Sequence, residues 1–214
     1  MQDRICPICN NMAPLRLRKQ TTDYFQCESC RTLFSDPINQ EGMVGGEHEI
    51  PRNVEQNHIR IERVAKQMAG FKKDDFSILD FGAGHGYLMR DFKAAGYNCD
   101  AYDAYNPEFD TLPPKNKYQI VTMVEIIEHT SHPFMELDVV NRSLVMGGIV
   151  TIETGFWNIS VEDNIPIEEY VYIAPHCGHA TIFSHHSLDL LMYMKGFMPR
   201  RHWDRNCRNF QKIK

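Results

Sequence analysis

The central part of the chain alternates short apolar runs with longer segments in which apolar residues recur at helical spacing. Four runs have the length and composition of buried strands: SILDF, NCDAYD, YQIVTMV and GIVTIET. Two segments between them have helical periodicity: GYLMRDFKAAG and SHPFMELDVVNRSL. Strands that alternate with helices in this way form a parallel sheet with helices on both faces. We therefore expect an α/β fold.

Further elements are predicted on either side of this sheet. An amphipathic helix is predicted before it, because apolar residues recur at helical spacing. These residues are Val54, Ile61, Val64, Ala65 and Met68. After the last strand of the predicted parallel sheet, residues 154–180 look irregular. Because a connection of this length is usually functional, we expect it to cover the substrate. A helix is predicted at about 185–195, and terminal strands at 200–203 and 208–213.

The pattern divides the chain into three parts. Residues 1–37 have little periodic hydrophobicity and contain two C-x-x-C pairs. Residues 38–52 combine glycine and proline with polar residues, which is typical of a linker or a lid. Residues 53–214 hold the α/β pattern. A chain of 214 residues has room for one full domain with a small appendage, but not for two large domains.

The two C-x-x-C pairs predict a four-cysteine zinc site. Cys6, Cys9, Cys27 and Cys30 have the spacing C-x2-C-x17-C-x2-C, which is typical of a zinc ribbon. So short a segment cannot bury enough surface to fold alone, so zinc would supply its folding free energy, on the order of 10 kcal/mol. Such closed sites are generally structural, although recognition of a nucleic acid or a protein stays open. Redox chemistry fits less well, because no thioredoxin-like strand and helix surround either pair.

Composition excludes some classes of protein. The chain is 43% hydrophobic and 24% charged, as in ordinary globular proteins. It has no apolar run of membrane-spanning length and no apolar stretch at the N-terminus, so we expect a cytoplasmic protein with no membrane partner. The net charge of −5 disfavours nonspecific coating of nucleic acid. Residues 198–214 hold six basic residues and one acid; a solvated basic edge is the favoured interpretation, and a local anionic partner remains an alternative.

A glycine-rich turn follows the first predicted strand in ILDFGAGHGYL. Glycines at 82, 84 and 86 suit a backbone that turns sharply and approaches a ligand closely. The third glycine comes one residue earlier than in the dinucleotide fingerprint G-x-G-x-x-G, which counts against NAD. The next strand ends at Asp103, 17 residues after Gly86, where an acid can accept hydrogen bonds from ribose hydroxyls.

In this order of motifs the chain resembles the class I S-adenosylmethionine-dependent methyltransferases, from about residue 54 to its C-terminus. The resemblance implies a Rossmann-like methyltransferase fold, with a mostly parallel sheet and an antiparallel last strand. It also implies a cofactor site formed by Asp80, Gly82, Ala83, Gly84, Gly86, Asp103, Asp110 and Glu125. Only 14 residues separate Asp103 from Tyr118, where many members have a helix and a third strand. Asp110 is expected in the truncated third strand, near the adenine.

A second group of polar residues follows the run YQIVTMV, which corresponds to the fourth strand of the family's sheet. Glu125, Glu128 and His129 form E-x-x-E-H, and on a helical turn the three would share a face. The motif resembles that of ubiquinone-biosynthesis O-methyltransferases and of small-RNA 3′-terminal 2′-O-methyltransferases, in which it ligates a metal. The ligand set suits magnesium, manganese or zinc. Related methyltransferases also carry such strings without a metal, as capping or substrate-binding groups.

Further histidines and aromatic residues lie downstream. His179 precedes Phe183 and Ser184 in an H-x-x-x-F-S pattern that resembles a family feature over the substrate pocket. It is a candidate fourth metal ligand or general base, because imidazole exchanges protons near neutral pH; a purely structural histidine is the alternative. His185 and His186 are expected as exposed residues that begin a helix. Core or lid packing is favoured over stacking on a substrate for three aromatic residues: Trp157, Tyr170 and Tyr172.

The resemblance predicts methyl transfer from S-adenosylmethionine. We expect His179, His129 and Glu128 to be the catalytic residues and an oxygen of a small molecule to be the acceptor. The alternatives are a sugar carbon, because several sugar C-methyltransferases share this arrangement of a zinc-bearing N-terminus and a methyltransferase domain, and RNA. A different class also remains: a noncatalytic zinc-ribbon binding module on a methyltransferase-like scaffold.

Overall fold

The N-terminal part of the chain forms small antiparallel sheets. In the computed structural model, which describes residues 3–36, 54–130, 132–202 and 204–214, five strands precede the main domain. They are β1 (Arg4–Ile5), β2 (Met12–Ala13), β3 (Leu15–Lys19), β4 (Thr22–Gln26) and β5 (Leu33–Ser35). We call residues 3–36 the cysteine module. The predicted linker or lid, 38–52, lies outside the described residues.

The main domain is built on a six-stranded sheet. Its strands in chain order are β6 (Ser77–Phe81), β7 (Asn98–Tyr102), β8 (Tyr118–Val124), β9 (Leu144–Glu153), β11 (Phe197–Pro199) and β12 (Cys207–Lys212). Their order across the sheet is β11-β12-β9-β8-β6-β7. The four strands from β6 to β9 pair in parallel, and β12 pairs antiparallel with β9 and β11. The Rossmann-like fold with an antiparallel last strand is therefore confirmed.

Helices cover both faces of this sheet. They are α1 (Asn57–Gln67), α2 (Tyr87–Ala94), α3 (Pro133–Ser143), α4 (Trp157–Glu162) and α5 (His185–Met194). Successive strand residues point to opposite faces, and the core divides accordingly. Ile78 and Ile120 pack with residues of α1 and α2, whereas their neighbours Leu79 and Val121 pack with residues of α3 and α5.

The helix before the sheet is present, but its buried face is partly polar. The predicted apolar face included Ala65, which is exposed, whereas Asn57 and Arg60 are buried beside Val64. Arg60 is buried because it pairs with Glu153 at the end of β9, with Nη2 2.5 Å from Oε1. Apolar periodicity cannot reveal a face that is stabilised by ion pairs.

Three predicted segments differ from the structure. Residues 103–117, all described, form turns and no third strand, so β7 is the edge of the sheet. The irregular connection 154–180 contains α4 and two 3-10 turns, Ile167–Glu169 and Pro175–Cys177. The strand predicted at 200–203 is wrong: β11 lies earlier, at Phe197–Pro199, because the buried Phe197 anchors it to the sheet.

The cysteine module and the main domain share a sheet and a core. A short strand after the long connection, β10 (Thr181–Ile182), pairs antiparallel with β5 and completes a four-stranded sheet in the order β10-β5-β4-β3. Phe25 and Phe34 of the module belong to the same apolar cluster as Phe156 and Phe183. The module therefore lies directly against the chain segment that follows the long connection.

Candidate active site

The glycine-rich turn leaves the carboxyl end of β6 and leads into α2. Gly82, Gly84 and Gly86 have φ values of +76°, +53° and +73°, a region that side chains other than glycine rarely adopt. The amides of Gly82 and Ala83 donate to the carbonyl of Tyr102, at 2.7 and 3.1 Å. The turn is thus tied to the end of β7, and its conformation explains why glycine recurs at these three positions.

Two apolar side chains border the turn. A Cβ added at Gly82 would lie 2.3 Å from Ile126, and one at Gly86 would lie 2.8 Å from Phe109. At Gly84 an added Cβ would meet nothing within 4 Å. The middle of the turn is therefore open, while its two ends are closed by Phe109 and Ile126, which the sequence analysis did not single out.

Asp103 lies beside the turn, where the sequence placed it. Its Oδ2 accepts a hydrogen bond from the amide of Gly84 at 2.7 Å, and its Oδ1 accepts one from the amide of Tyr105 at 2.9 Å. Asp110 is exposed in the loop that replaces the third strand, and it is the preceding residue, Phe109, that contacts the turn. A role for Asp110 beside an adenine remains a prediction.

Asp80 points into the protein at the end of β6. It is 3% exposed, and its carboxyl group accepts from the amide of Met89 at 3.2 Å and from Thr122 Oγ1 at 3.3 Å. Met89 is in the first turn of α2, whose N-cap residue, Gly86, has no side chain to offer. Asp80 therefore acts as the missing cap. Burial raises the pKa of Asp80 to about 7.

Two glutamates of the E-x-x-E-H motif share one tyrosine hydroxyl. Glu125 adopts φ +54°, a strained conformation for a residue with a side chain, and its Oε2 lies 3.0 Å from the hydroxyl of Tyr172. The same hydroxyl bonds to Oε1 of the fully buried Glu128, whose Oε2 accepts from Thr154 at 3.0 Å. One phenol can donate only one proton. A carboxyl proton must therefore satisfy part of this network.

Burial and like charge explain how that proton is retained. Burial and repulsion from Glu128 raise the pKa of Glu125 to about 9. Burial also raises the pKa of Glu128. Without a cation nearby, two buried carboxylates cannot both ionise at low cost. A proton on one of the two carboxyl groups, or a cation bound beside them, would each relieve this repulsion.

Two histidines complete this site, which we call the acid–histidine cluster: Glu125, Glu128, His129, Tyr172 and His179. The rings of His129 and His179 are edge to face, with centroids 4.8 Å apart. One ligand atom from each of Glu128, His129 and His179 lies within 4.8 Å of the others. Glu125, the fourth predicted ligand, is not in that group of three. One carboxylate and two imidazoles are a donor set that suits a divalent metal.

The orientation of His179 is set by its neighbours. Its Nδ1 lies 2.7 Å from the carbonyl oxygen of Tyr172, and because a carbonyl only accepts, Nδ1 carries the proton in the neutral ring. Nε2 then has the lone pair needed by a metal ligand or a base. The H-x-x-x-F-S pattern marks His179 as a candidate. Tyr172 was expected to pack, because no motif indicates that the chain returns there to the two glutamates.

The four cysteines come together as their spacing predicts. Their sulfur atoms all lie within 4.8 Å of one another, with Cys6 and Cys30 at 3.4 Å and Cys9 and Cys27 at 3.4 Å. Sulfurs around a tetrahedral zinc ion lie about 3.8 Å apart. In each pair an amide beyond the second cysteine donates to the carbonyl of the first, from Asn10 to Cys6 and from Arg31 to Cys27. The residues fit a zinc ion.

Three of the six basic side chains in the C-terminal segment have partners within the protein. Arg205 pairs with Glu162 and Asp163, and Arg208 pairs with Asp189. Lys212 is buried, and its Nζ donates to the carbonyls of Asn141 and Leu144. These three side chains are therefore held by intramolecular partners, and a local anionic partner of the segment remains a prediction. In the described part of the chain, no helix is long and apolar enough to span a membrane.

Comparisons with known proteins agree with this architecture. A family model described as a methyltransferase domain matches residues 52–200. The chain is similar to a SAM-dependent methyltransferase from Aquifex aeolicus, with 15% identity over 77% of this chain and 98% of that chain and a TM-score of 0.53. No curated protein matches the sequence.

A second similar structure is the 1,6-didemethyltoxoflavin-N1-methyltransferase of Burkholderia thailandensis. It was solved with 1,6-didemethyltoxoflavin and S-adenosylhomocysteine bound. The identity is 14% over 94% of this chain and 99% of that chain, with a TM-score of 0.51. At such identities the likeness establishes the fold alone.

Proposed function

This chain belongs to the methyltransferase domain family and is an S-adenosylmethionine-dependent methyltransferase, and we propose that it methylates an oxygen of a small molecule with the help of a divalent metal. The observation that carries this proposal is the proximity of Glu128, His129 and His179 to one another at the carboxyl ends of the sheet strands. That is the edge at which open α/β sheets bind their ligands.

The cofactor is proposed to bind at the glycine-rich turn. Gly82, Ala83, Gly84 and Gly86 would hold its methionine end, with Asp103 on the ribose hydroxyls. The open space at Gly84 and the position of Asp103 beside its amide support this placement. Phe109 and Ile126 border the same turn and are proposed to contact the adenine, since apolar side chains commonly line cofactor pockets.

The acceptor is proposed to bind at the acid–histidine cluster. Glu128, His129 and His179 would hold a magnesium, manganese or zinc ion, which when bound supplies Lewis acidity toward an acceptor hydroxyl. His179 presents Nε2 because the Tyr172 carbonyl holds Nδ1. Glu125 and Tyr172 orient Glu128 from the side, as outer partners of metal ligands do. The protein thus aligns the acceptor oxygen with the methyl group.

The four cysteines are proposed to hold a structural zinc ion. Three of the four are buried, so solvent has little access, as in closed structural sites. Catalysis predicts that S-adenosylmethionine binds at tens of micromolar, which calorimetry measures, and that S-adenosylhomocysteine is released.

The acceptor and the metal are tested together. A screen of hydroxyl, carbon and amine acceptors with labelled S-adenosylmethionine identifies the class, and a labelled hydroxyl product is expected. With that acceptor, Glu128→Gln and His129→Ala should each lower kcat at least about 100-fold, whereas His186→Ala, an exposed histidine, should not. Zinc at the cysteines is measured in every variant. Full activity of both cluster variants after chelation would refute the catalytic metal.

A further inference from the structure

The cysteine module contacts the backbone of His179 directly. The hydroxyl of Tyr24, in β4, donates to the carbonyl oxygen of His179 at 2.8 Å. Tyr24 is fully buried, and burial raises the pKa of its hydroxyl well above the ordinary value, so that it remains a donor. This is a polar contact inside an otherwise apolar cluster that includes Leu33 and Ile182.

The residues that follow His179 are held from two sides. Toward the module, the carbonyl of Ala180 accepts from the amide of Ser35 at 2.8 Å, and Thr181 pairs with Phe34. Toward the cluster, the amides of Ala180 and Thr181 both donate to the carbonyl of Glu128, each at 2.9 Å. The backbone at 179–181 therefore lies between the module and one of the proposed metal ligands.

Two of the four cysteines lie in the turn that connects the two strands making these contacts. The turn with Cys27 and Cys30 joins β4, which carries Tyr24, to β5, which pairs with β10. The amide of Cys27 donates to the carbonyl of Thr32 at 2.9 Å across this turn. Because an ion bound by the four sulfurs fixes the turn, it also fixes the relative positions of β4 and β5.

We propose that Tyr24 is a positioning residue for His179, through which the cysteine module sets the geometry of the acid–histidine cluster. The proposal rests on the function proposed above for that cluster. Tyr24 acts through the carbonyl of His179 and does not touch the acceptor. The module is thereby a part of the acceptor site rather than a cap remote from it.

A simple cap makes a different prediction. Other contacts also attach the module, such as Lys19 Nζ to the carbonyl of Tyr170 at 2.8 Å and Trp157 Nε1 to the carbonyl of Arg31 at 2.7 Å. If Tyr24 only filled space, phenylalanine would serve as well, because it differs by one oxygen atom. Positioning requires that the hydroxyl itself affects His179.

The experiment compares Tyr24→Phe with Tyr118→Phe. Tyr118 is the matched control because it is 2% exposed and its hydroxyl donates to Asp100 at 2.9 Å. It begins β8, whereas Glu125 of the cluster follows the other end of that strand. Each variant is checked for zinc content and for S-adenosylmethionine affinity, which should stay unchanged. The readouts are the ¹⁵N resonances of the His179 ring and the affinity of Mn²⁺ for the acid–histidine cluster.

Tyr24→Phe should move the His179 resonances and weaken Mn²⁺ binding about tenfold or more, as loss of an outer partner of a metal ligand does. Tyr118→Phe should do neither. Identical His179 resonances in wild type and Tyr24→Phe overturn the positioning role. If the wild-type protein binds no Mn²⁺, the proposal of a catalytic metal is refuted. The ¹⁵N resonances of the His179 ring still decide the role of Tyr24.

A reciprocal measurement covers the case in which Tyr24→Phe does not fold. In ¹³C-tyrosine-labelled His179→Gln protein, the ring resonances of Tyr24 should move and those of Tyr118 should stay, because coupling between two sites acts in both directions. Unmoved Tyr24 resonances would overturn the proposal by this second route.

Discussion

The buried carboxyl groups at the carboxyl edge of the sheet have different partners, and the partners decide their chemistry. Glu153 pairs with the guanidinium groups of Arg60 and Arg63. Asp80 accepts hydrogen bonds from a helix amide and from a hydroxyl, and Glu128 accepts from the hydroxyls of Thr154 and Tyr172. Carboxyl groups without a cation retain a proton or attract a metal. The proposed catalytic metal depends on the second option.

Asp80 gives a pH prediction at the residue scale. Its pKa in the folded protein is raised from 3.8 to about 7, so between these values the folded state binds the extra proton and stability falls as pH rises. From pH 6 to pH 8 this group should lower the free energy of unfolding by about 1.4 kcal/mol. Urea unfolding of Asp80→Asn should lack that part of the decrease.

The control for this measurement is Asp74→Asn, a substitution of an exposed carboxylate. It should keep the wild-type dependence on pH, since an exposed group gains little from folding. Equal pH dependence in wild type and Asp80→Asn would show that the Asp80 proton is not retained in the folded state.

Individual site residues could be predicted only where a local motif marks them. The spacing of the glycines and of E-x-x-E-H marked Gly84, Glu128 and His129 as candidates, because each motif lies within one turn of chain. Tyr172 and Thr154 could not be identified in this way. They reach Glu128 from distant parts of the chain, and only the completed fold brings them together.

At the scale of elements, prediction succeeded where burial is complete. The runs SILDF and YQIVTMV coincide with β6 and β8, because these central strands are covered on both faces and read as continuous apolar runs. β11 was misplaced because two of its three residues are exposed. For α1 the period was right, but the buried Arg60 carries no apolar signal.

The attachment of α1 gives the prediction at this scale. Arg60→Met should lower the free energy of unfolding by about 3 kcal/mol, because it removes one partner of a buried ion pair, and Arg63 compensates only in part. Lys66→Met, on the same helix, removes an exposed pair with Glu62 at 3.8 Å and should cost less than about 0.5 kcal/mol. Urea unfolding measures both, and equal losses would contradict the structural role of Arg60.

At the scale of the whole molecule, the cysteine module is more closely joined to the main domain than the sequence indicates. The division at residue 37 came from a change in periodicity, which reports local structure and not packing. Phe25 and Phe34 lie in one apolar cluster with Phe156 and Phe183, and β10 joins the module's sheet. Contacts of such large sequence separation leave no periodic trace, so a shared core could not be predicted.

A shared core implies that loss of the zinc ion proposed at the four cysteines would affect the entire protein. Chelation should lower the melting temperature of the main domain by at least about 10 °C, because several kcal/mol of metal-binding free energy are lost. Circular dichroism of the sheet and fluorescence of Trp157, in a Trp203→Phe background, should change at the same temperature. Cys9→Ser should have the same effect as chelation, and Cys177→Ser, outside the quartet, should not. A main domain that melts unchanged while Trp157 reports the loss of the module would mean that the two parts fold independently.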